Sequence, residues 1–213
     1  MKRVFIFLYG AELNTFMKLK PKQDEQIICA DSGILLAQKL EFTPKNLILI
    51  GDLDSVPKSA LNWSKKNNFE VLKLPTNKDL TDGHLAIEYA CKNYSKNVEK
   101  VIIGGVTNKL DHTLGNILPA IPFVEDGHRI KFVNKNQIIY LCDKPIELNN
   151  CKDHILSLIP LKESKIKKTE GLKWKLTNEI IKIPQSRTLR NIAVHHKVKI
   201  EISSGVLIVV ESW

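Results

Sequence analysis

From Val4 to Pro122 the chain alternates two patterns, short apolar runs and stretches with helical spacing. The runs Val4–Tyr9, Ile27–Ala30, Leu47–Ile50, Phe69–Leu74 and Val101–Gly105 are bounded by glycine, proline and polar residues, as buried strands are. Between them, Gly33–Leu40 has helical composition and is closed by Pro44, and Pro57–Lys66 suits a helix with Pro57 in its first turn. Leu80, His84, Ile87, Cys91 and Tyr94 recur at helical spacing, and Asp111–Ala120 reads as a further helix that stops before Pro122. Such alternation predicts a mostly parallel sheet covered by helices, because parallel neighbours need crossover connections.

After about residue 130 the helical periodicity stops. Ile138–Cys142, Ile155–Ile159, Ile180–Ile183, Val198–Ile202 and Val206–Val210 are short strand candidates. Ser203-Ser204-Gly205 between the last two has the composition of a hairpin turn. Lys197 to Ile202 alternates polar and apolar residues, so one face of that strand meets solvent. This half reads as a small antiparallel sandwich or barrel. The expected boundary is 132/133, giving domains 1–132 and 133–213, with no low-complexity linker and no internal repeat.

Composition narrows the class. The chain has 213 residues, 43% of them hydrophobic and 26% charged, which is ordinary for a globular protein. The net charge of +9 invites a nucleic-acid reading, but only Arg3, Arg129, Arg187 and Arg190 are arginines. Base readers and phosphate clamps favour arginine, so dispersed lysine predicts a solvated surface and no nucleic-acid partner. No uncharged apolar stretch reaches the ~18 residues of a membrane helix, so no membrane partner is expected. Met1 to Tyr9 has a charged start and an apolar stretch but is too short for a signal peptide, and it reads as the first strand. Cys29, Cys91, Cys142 and Cys151 form no C-x-x-C pair, which fits a reducing, cytoplasmic setting.

Acidic residues follow the apolar runs. Asp52 and Asp54 in Gly51-Asp52-Leu53-Asp54-Ser55 are two apart, and alternate side chains of extended chain share a face. The alternative is a polar turn, since Gly-Asp and Asp-Ser are common turn pairs. Asp79 and Asp82 in Lys78-Asp79-Leu80-Thr81-Asp82 are one helical turn apart, with Lys78 as a neighbouring cation. Acids and threonine also serve simply as caps there. Gly104-Gly105 permits close backbone approach to a phosphate, without the Gly-Lys-Ser/Thr of a Walker loop. Lys109, Asp111 and His112 follow; Asp111 suits a cap and His112 a structural hydrogen bond equally well. Asp31 in Asp31-Ser32-Gly33 is a further acid after a strand, or a cap. Ligands of open parallel sheets bind beyond the carboxyl ends of the strands. Carboxylates crowded there repel unless a cation intervenes, and a hard divalent metal carrying a phosphorylated ligand answers that requirement.

Taken in order, these segments resemble the thiamin pyrophosphokinase (thiamin diphosphokinase) family. The likeness runs through Ala30-Asp31-Ser32-Gly33, Gly51 to Ser55, Lys78 to Asp82, Gly104-Gly105 to Asp111-His112, and Gly171-Leu172-Lys173-Trp174. It implies an N-terminal, mostly parallel α/β (Rossmann-like) domain for ATP and metal, then a C-terminal antiparallel β-sandwich for thiamin binding and dimerisation. It implies transfer of the diphosphate of ATP to the hydroxyl of thiamin, giving thiamin diphosphate and AMP. Asp52, Asp54 and Asp82 are then the Mg²⁺ ligands, with Asp79 and Asp111 beside them as catalytic acids. ATP is assigned to Asp31, Thr81, Gly105, Lys109 and Asp111. Thiamin is assigned to Arg190, Asn191 and Ile208 at a homodimer interface. The chain departs from the family pattern in three places: Lys109 stands where an arginine is usual, Arg190 where a serine is usual, and Ile208 near the place where some members carry a stacking tryptophan.

Two other readings compete. Asp52-Leu53-Asp54-Ser55-Val56 after an apolar strand fits the nucleophile pattern of haloacid-dehalogenase-like phosphatases, with Asp52 forming an aspartyl phosphate. A basic nucleic-acid-binding module would leave the aspartates without a task.

Overall fold

The computed structural model describes residues 2–12, 19–22, 24–40, 46–77, 79–183 and 185–213. Pro44 and Lys78 lie outside the described residues. The chain divides into two compact units, Met1–Lys135 and Asn136–Trp213.

Among its described residues the first unit holds six strands: β1 (Arg3–Phe7), β2 (Gln26–Ala30), β3 (Leu47–Gly51), β4 (Glu70–Lys73), β5 (Glu99–Ile103) and β6 (Ile130–Asn134). They lie side by side in the order β6-β5-β1-β2-β3-β4, all parallel. The boundary expected at 132/133 falls inside β6, a strand that the sequence reading did not separate. Every residue of β2 and β3 is buried, as is all of β1 and β5 beyond the first residue. Continuous burial explains the unbroken apolar runs, because helices cover both faces of a parallel sheet. Burying each Phe, Ile or Leu contributes roughly 1.5–3 kcal/mol. Edge strand β4 is mostly exposed.

Among the described residues, five α-helices accompany the sheet: α1 (Ile34–Lys39), α2 (Lys58–Lys66), α3 (Asp82–Asn93), α4 (Leu110–Ile117) and α5 (Ile121–Glu125). Pro57 is the N-cap of α2 rather than part of its first turn. Helix α3 buries Ala86, Ile87, Ala90 and Cys91, and Leu80 and Tyr94 fall just outside it. Pro122 does not end the helical segment. It sits in the first turn of α5, where the missing N–H would have no partner in any case.

The second unit holds two antiparallel arrays. One runs β12 (Asn191–Ile192), β9 (Ile155–Pro160), β14 (Leu207–Ser212), β7 (Gln137–Cys142). The other runs β11 (Thr177–Ile181), β10 (Ser164–Glu170), β13 (Lys197–Ser204), β8 (Ile146–Asn149). Leu156, Leu158 and Val209 of the first meet Ile166, Val198 and Ile200 of the second in one core, as in a β-sandwich. The lysine-rich segment contains β10, whose Ser164, Ile166 and Thr169 point inward while its lysines face solvent. Ser203-Ser204-Gly205 does not make a hairpin. β13 pairs with β10 and β8, whereas β14 pairs with β7 and β9, so the chain crosses from one sheet to the other here. Gly205 allows the crossing: it has φ +98°, and a Cβ there would stand 2.2 Å from Ser164 Oγ. All four cysteines are free and buried. Among the described residues, no helix is long and apolar enough to cross a membrane.

Candidate active site

The strand order 6-5-1-2-3-4 reverses direction between β1 and β5. At such a switch point neighbouring loops diverge and leave a crevice. The crevice is a cleft of about 730 Å³ whose walls include Tyr9, Asp31, Ser55, Thr81, Asp82, Lys109, Asp111 and Asn116. All of these residues belong to the first unit.

Two carboxylates in the cleft wall, Asp31 and Asp82, meet a third, Asp52. Asp31 follows β2, Asp52 follows β3 and Asp82 opens α3, and one oxygen from each lies within 4.8 Å of the others. Local structure aims them. Asp31 adopts φ +51°, a left-handed conformation that Asp tolerates better than most residues. Its Oδ1 accepts the Leu53 N–H (3.2 Å), and its Oδ2 accepts the Ser55 hydroxyl. Leu53 itself holds φ +70°, a strained conformation for a bulky residue, and so turns the chain sharply between Asp52 and Asp54. Burial raises the Asp31 pKa, and the charges of Asp82 and Asp52 push it further the same way, against the hydrogen bonds from Ser55 and Leu53.

This donor set fits a hard divalent cation. Three carboxylates supply oxygen ligands and negative charge. The backbone also leaves room for them: a Cβ on Gly51 would stand 2.7 Å from Asp31 Oδ1 and 3.3 Å from Asp82 Oδ1.

The other candidate residues are placed as follows. Asp54 is exposed and outside the trio; its N–H donates to Asp52 Oδ1 (3.2 Å). Asp79 is exposed just ahead of α3. Thr81 is the N-cap of α3, accepting the His84 N–H (3.2 Å), so it caps the helix that carries Asp82. Gly104 and Gly105 have φ +85° and +74°, and the Gly105 N–H donates to Tyr9 O (2.9 Å). The loop after them is folded by Thr113, whose hydroxyl accepts the Thr107 N–H (3.0 Å) and donates to Thr107 O (3.1 Å). It delivers exposed Lys109 as N-cap of α4, with Asp111 in the first turn and His112 beside it.

In the second unit, Asn191 is buried and committed to its own backbone surroundings. Its Oδ1 accepts the Trp174 N–H (3.1 Å) and its Nδ2 donates to Trp174 O (2.6 Å). Asn191 therefore fastens the Gly171–Trp174 segment, leaving the Trp174 indole 55% exposed with Lys173 Nζ 4.9 Å from its ring centroid. Arg190 is exposed, has φ +57° and donates its N–H to Ser157 Oγ (3.0 Å). Ile208 is buried in β14 between Leu141 and Ile159.

Comparison with known proteins assigns this arrangement. The profile described as "Thiamin pyrophosphokinase, catalytic domain" matches residues 17–132, over half of the chain. The chain belongs to the thiamin pyrophosphokinase family. The family's vitamin B1 binding domain follows in order, matching residues 143–207. Both parts of a thiamin diphosphokinase enzyme are thus present.

Solved structures agree in fold with this family assignment. A thiamine pyrophosphokinase from Bacillus subtilis shares 20% identity at a TM-score of 0.81, over 99% of each chain. A thiamin pyrophosphokinase family protein from Enterococcus faecalis shares 19% at 0.80, again over 99% of each. The yeast thiamin pyrophosphokinase shares 15% at 0.74, over 100% of this chain and 87% of its own. No curated protein sequence matches significantly.

Two contributions escaped the sequence reading. Gly51 makes space for the carboxylates, although the motif that contains it was visible. Asn116 lines the cleft, and its only signal was a polar residue between apolar Leu114 and Ile117 of a helix.

Proposed function

We propose that the protein transfers the diphosphate group of ATP to the hydroxyl of thiamin, forming thiamin diphosphate and AMP with Mg²⁺ present. The observation that carries this reading is the convergence of Asp31, Asp52 and Asp82 at the switch point of a chain that contains both family domains. Asp52 and Asp82, with Asp31 as their nearest companion, would hold the cation. Asp54, exposed two residues beyond Asp52, would add negative charge beside the site. The cation, when bound, neutralises phosphate charge.

This chain's own groups do the positioning that phosphoryl transfer chiefly requires. The Gly104–Gly105 turn lets phosphate oxygens approach the backbone. Thr81 and the first turn of α3 present a helix N-terminus. Lys109 supplies a positive charge to the same anion, as a point charge rather than the bidentate fork of arginine. The thiamin hydroxyl oxygen bonds to the β-phosphorus, the bond from that phosphorus to the α–β bridging oxygen breaks, and AMP departs. Asp79 or Asp111, both exposed acids near the cleft, accepts the hydroxyl proton.

Thiamin falls to the second unit in this reading, with exposed Trp174, held by Asn191, and Arg190 as the available contact groups. The reading includes a homodimer with thiamin at its interface and a cytoplasmic setting. Support for a second copy comes from α4 and the turn after it, which expose Leu110 (70%), Leu114 (40%) and Leu118 (45%) along one face. Leu110→Glu with Leu114→Glu should then yield a monomer in sedimentation.

The deciding assay incubates the pure protein with ATP, Mg²⁺ and thiamin. AMP and thiamin diphosphate in equal amounts are expected. Release of ADP or inorganic phosphate instead, or acid-stable phosphate trapped on Asp52, would overturn the proposal in favour of a phosphatase-like reaction.

A further inference from the structure

Asn116, in the cleft wall, touches two separate segments through one side chain, the turn after β5 and the first turn of α3. Its Nδ2 donates to the carbonyl oxygen of Gly105 (2.9 Å). Its Oδ1 lies 2.6 Å from the position a Cβ on Gly83 would occupy, so the amide packs directly against the first turn of α3. A Cβ on Gly105 would stand 3.1 Å from Nδ2. Two glycines therefore flank one asparagine, and each belongs to a different part of the site. Gly83 follows Asp82 in the carboxylate trio. Gly105 closes the turn after β5, directly behind the cleft-lining Asn116.

The Gly105 peptide is gripped at both ends. Its N–H donates to Tyr9 O (2.9 Å), two residues past β1, and its C=O is taken by Asn116. The next residue is anchored elsewhere, with Asn134 Nδ2 donating to Val106 O (2.9 Å). Unlike Asn116, Asn134 comes from β6 and is not among the cleft's lining residues.

We propose that Asn116 is a positioning residue for this site, setting the distance between the Gly104–Gly105 turn and the helix end that carries Asp82. The proposal rests on the reading of the cleft as the diphosphoryl-transfer site. The amide is suited to the task in a way that neither a carboxylate nor an alkyl group is. Gly105 O needs a donor, and Gly83 needs a flat, compact neighbour that ends at its δ atoms. An aspartate would match the shape but face the Gly105 carbonyl with an acceptor, and it would add negative charge to a cluster that already has three carboxylates. Sub-ångström placement errors between reacting groups are expensive in rate, so the effect should appear in kcat.

Asn116→Ala and Asn116→Asp should each lower kcat at least about tenfold, with KM for thiamin within about twofold of the original. Asn134→Ala, which removes an equivalent side chain-to-carbonyl bond outside the cleft, should leave kcat within about twofold. Asn116→Asp keeps the side-chain volume, so it remains informative if Asn116→Ala folds poorly. A measurement independent of turnover follows from the packing. Gly83→Ala alone should lower both Tm and Mn²⁺ affinity, because its Cβ meets Asn116 Oδ1. In the Asn116→Ala background the same change should cost neither, because the space is then open. Kinetics unchanged by Asn116→Ala and Asn116→Asp, an equal loss from Asn134→Ala, or additive Gly83 and Asn116 effects would each overturn the positioning role. Failure of the original protein to make AMP from ATP and thiamin would instead defeat the reaction assignment, and the Gly83–Asn116 cycle would still report on the bracket.

Discussion

A methyl group on Gly51 would lie 2.7 Å from Oδ1 of Asp31, closer than any relaxed contact allows. The backbone of β3's last residue thus defines one wall of the carboxylate trio. Gly51→Ala should push Asp31 away and weaken divalent-cation binding on the order of 10- to 100-fold, the usual penalty for disturbing groups that orient ligands. Titration with Mn²⁺ would read the loss directly. An unchanged affinity would mean that Asp31 does not participate.

Neutralising one member of the trio should separate stability from activity. Asp31, Asp52 and Asp82 repel one another when no cation is present. Asp52→Asn should therefore raise Tm in chelator-treated buffer, abolish the stabilisation that Mg²⁺ gives, and reduce turnover on the order of 10²- to 10³-fold. Thermal melts with and without MgCl₂ check the first two effects. A Tm that falls in chelator would show that the carboxylate serves the fold.

Arg3 and Glu25 form a two-pronged pair, Nε to Oε1 and Nη2 to Oε2, both at 2.7 Å. Glu25 is almost wholly buried and also accepts the Lys22 N–H (2.8 Å). Burial alone would raise its pKa, but the bonds from Arg3 and Lys22 outweigh burial and hold it below 4.5. The unfolded chain then binds the proton more readily. The pair's stabilisation is complete above about pH 4.5 and disappears as pH falls through the lower folded value. Glu25→Ala should cost about 3 kcal/mol at neutral pH by stranding Arg3, and should flatten the acid limb of a denaturation series.

Lys100 Nζ stands 2.9 Å from His128 Nδ1 and also donates to Tyr94 O (3.2 Å) and Ser95 O (2.8 Å). The ammonium requires Nδ1 to be unprotonated. Burial lowers the His128 pKa, and the Lys100 charge lowers it further, while Asp126, 3.9 Å from Nε2, opposes them. A lowered histidine pKa means that the unfolded state takes up protons first. Stability should therefore decline as pH drops below about 6.5 and continue declining until the folded value is passed. His128→Gln should remove that decline from Tm measured between pH 7 and 5. An identical profile in the variant would exclude this pair as the cause.

The sequence disclosed most of the sheet because β1, β2, β3 and β5 are buried on both faces, which forces unbroken apolar runs. β6 and β8 were harder to see, since Lys131, Asn134 and Glu147 interrupt them. Asp52 stood out close behind the run Leu47–Ile50, and Asp82 by its one-turn spacing from Asp79 after the run Val71–Leu74. The nearness of Asp31 to them depends on a left-handed φ and on the missing side chain of Gly51, neither of which has a periodicity to read. The turn at Ser203–Gly205 looks the same locally whether the chain returns to its own sheet or crosses to the other; contact with Ser164, some forty residues earlier, decides it. Asn191 was assigned to thiamin by the family resemblance alone; its bonds to the Trp174 backbone link segments distant in sequence and have no local signal.

β5 reaches its place beside β1 only after the chain has run out through β2, β3 and β4 and come back. The acidic side of the cleft is laid down by successive strands, whereas the glycine side waits for a long loop to close. During refolding the aspartates would gather before anything stands opposite them. A divalent ion bound by the three carboxylates, as proposed, would then tie the ends of the half-built sheet together.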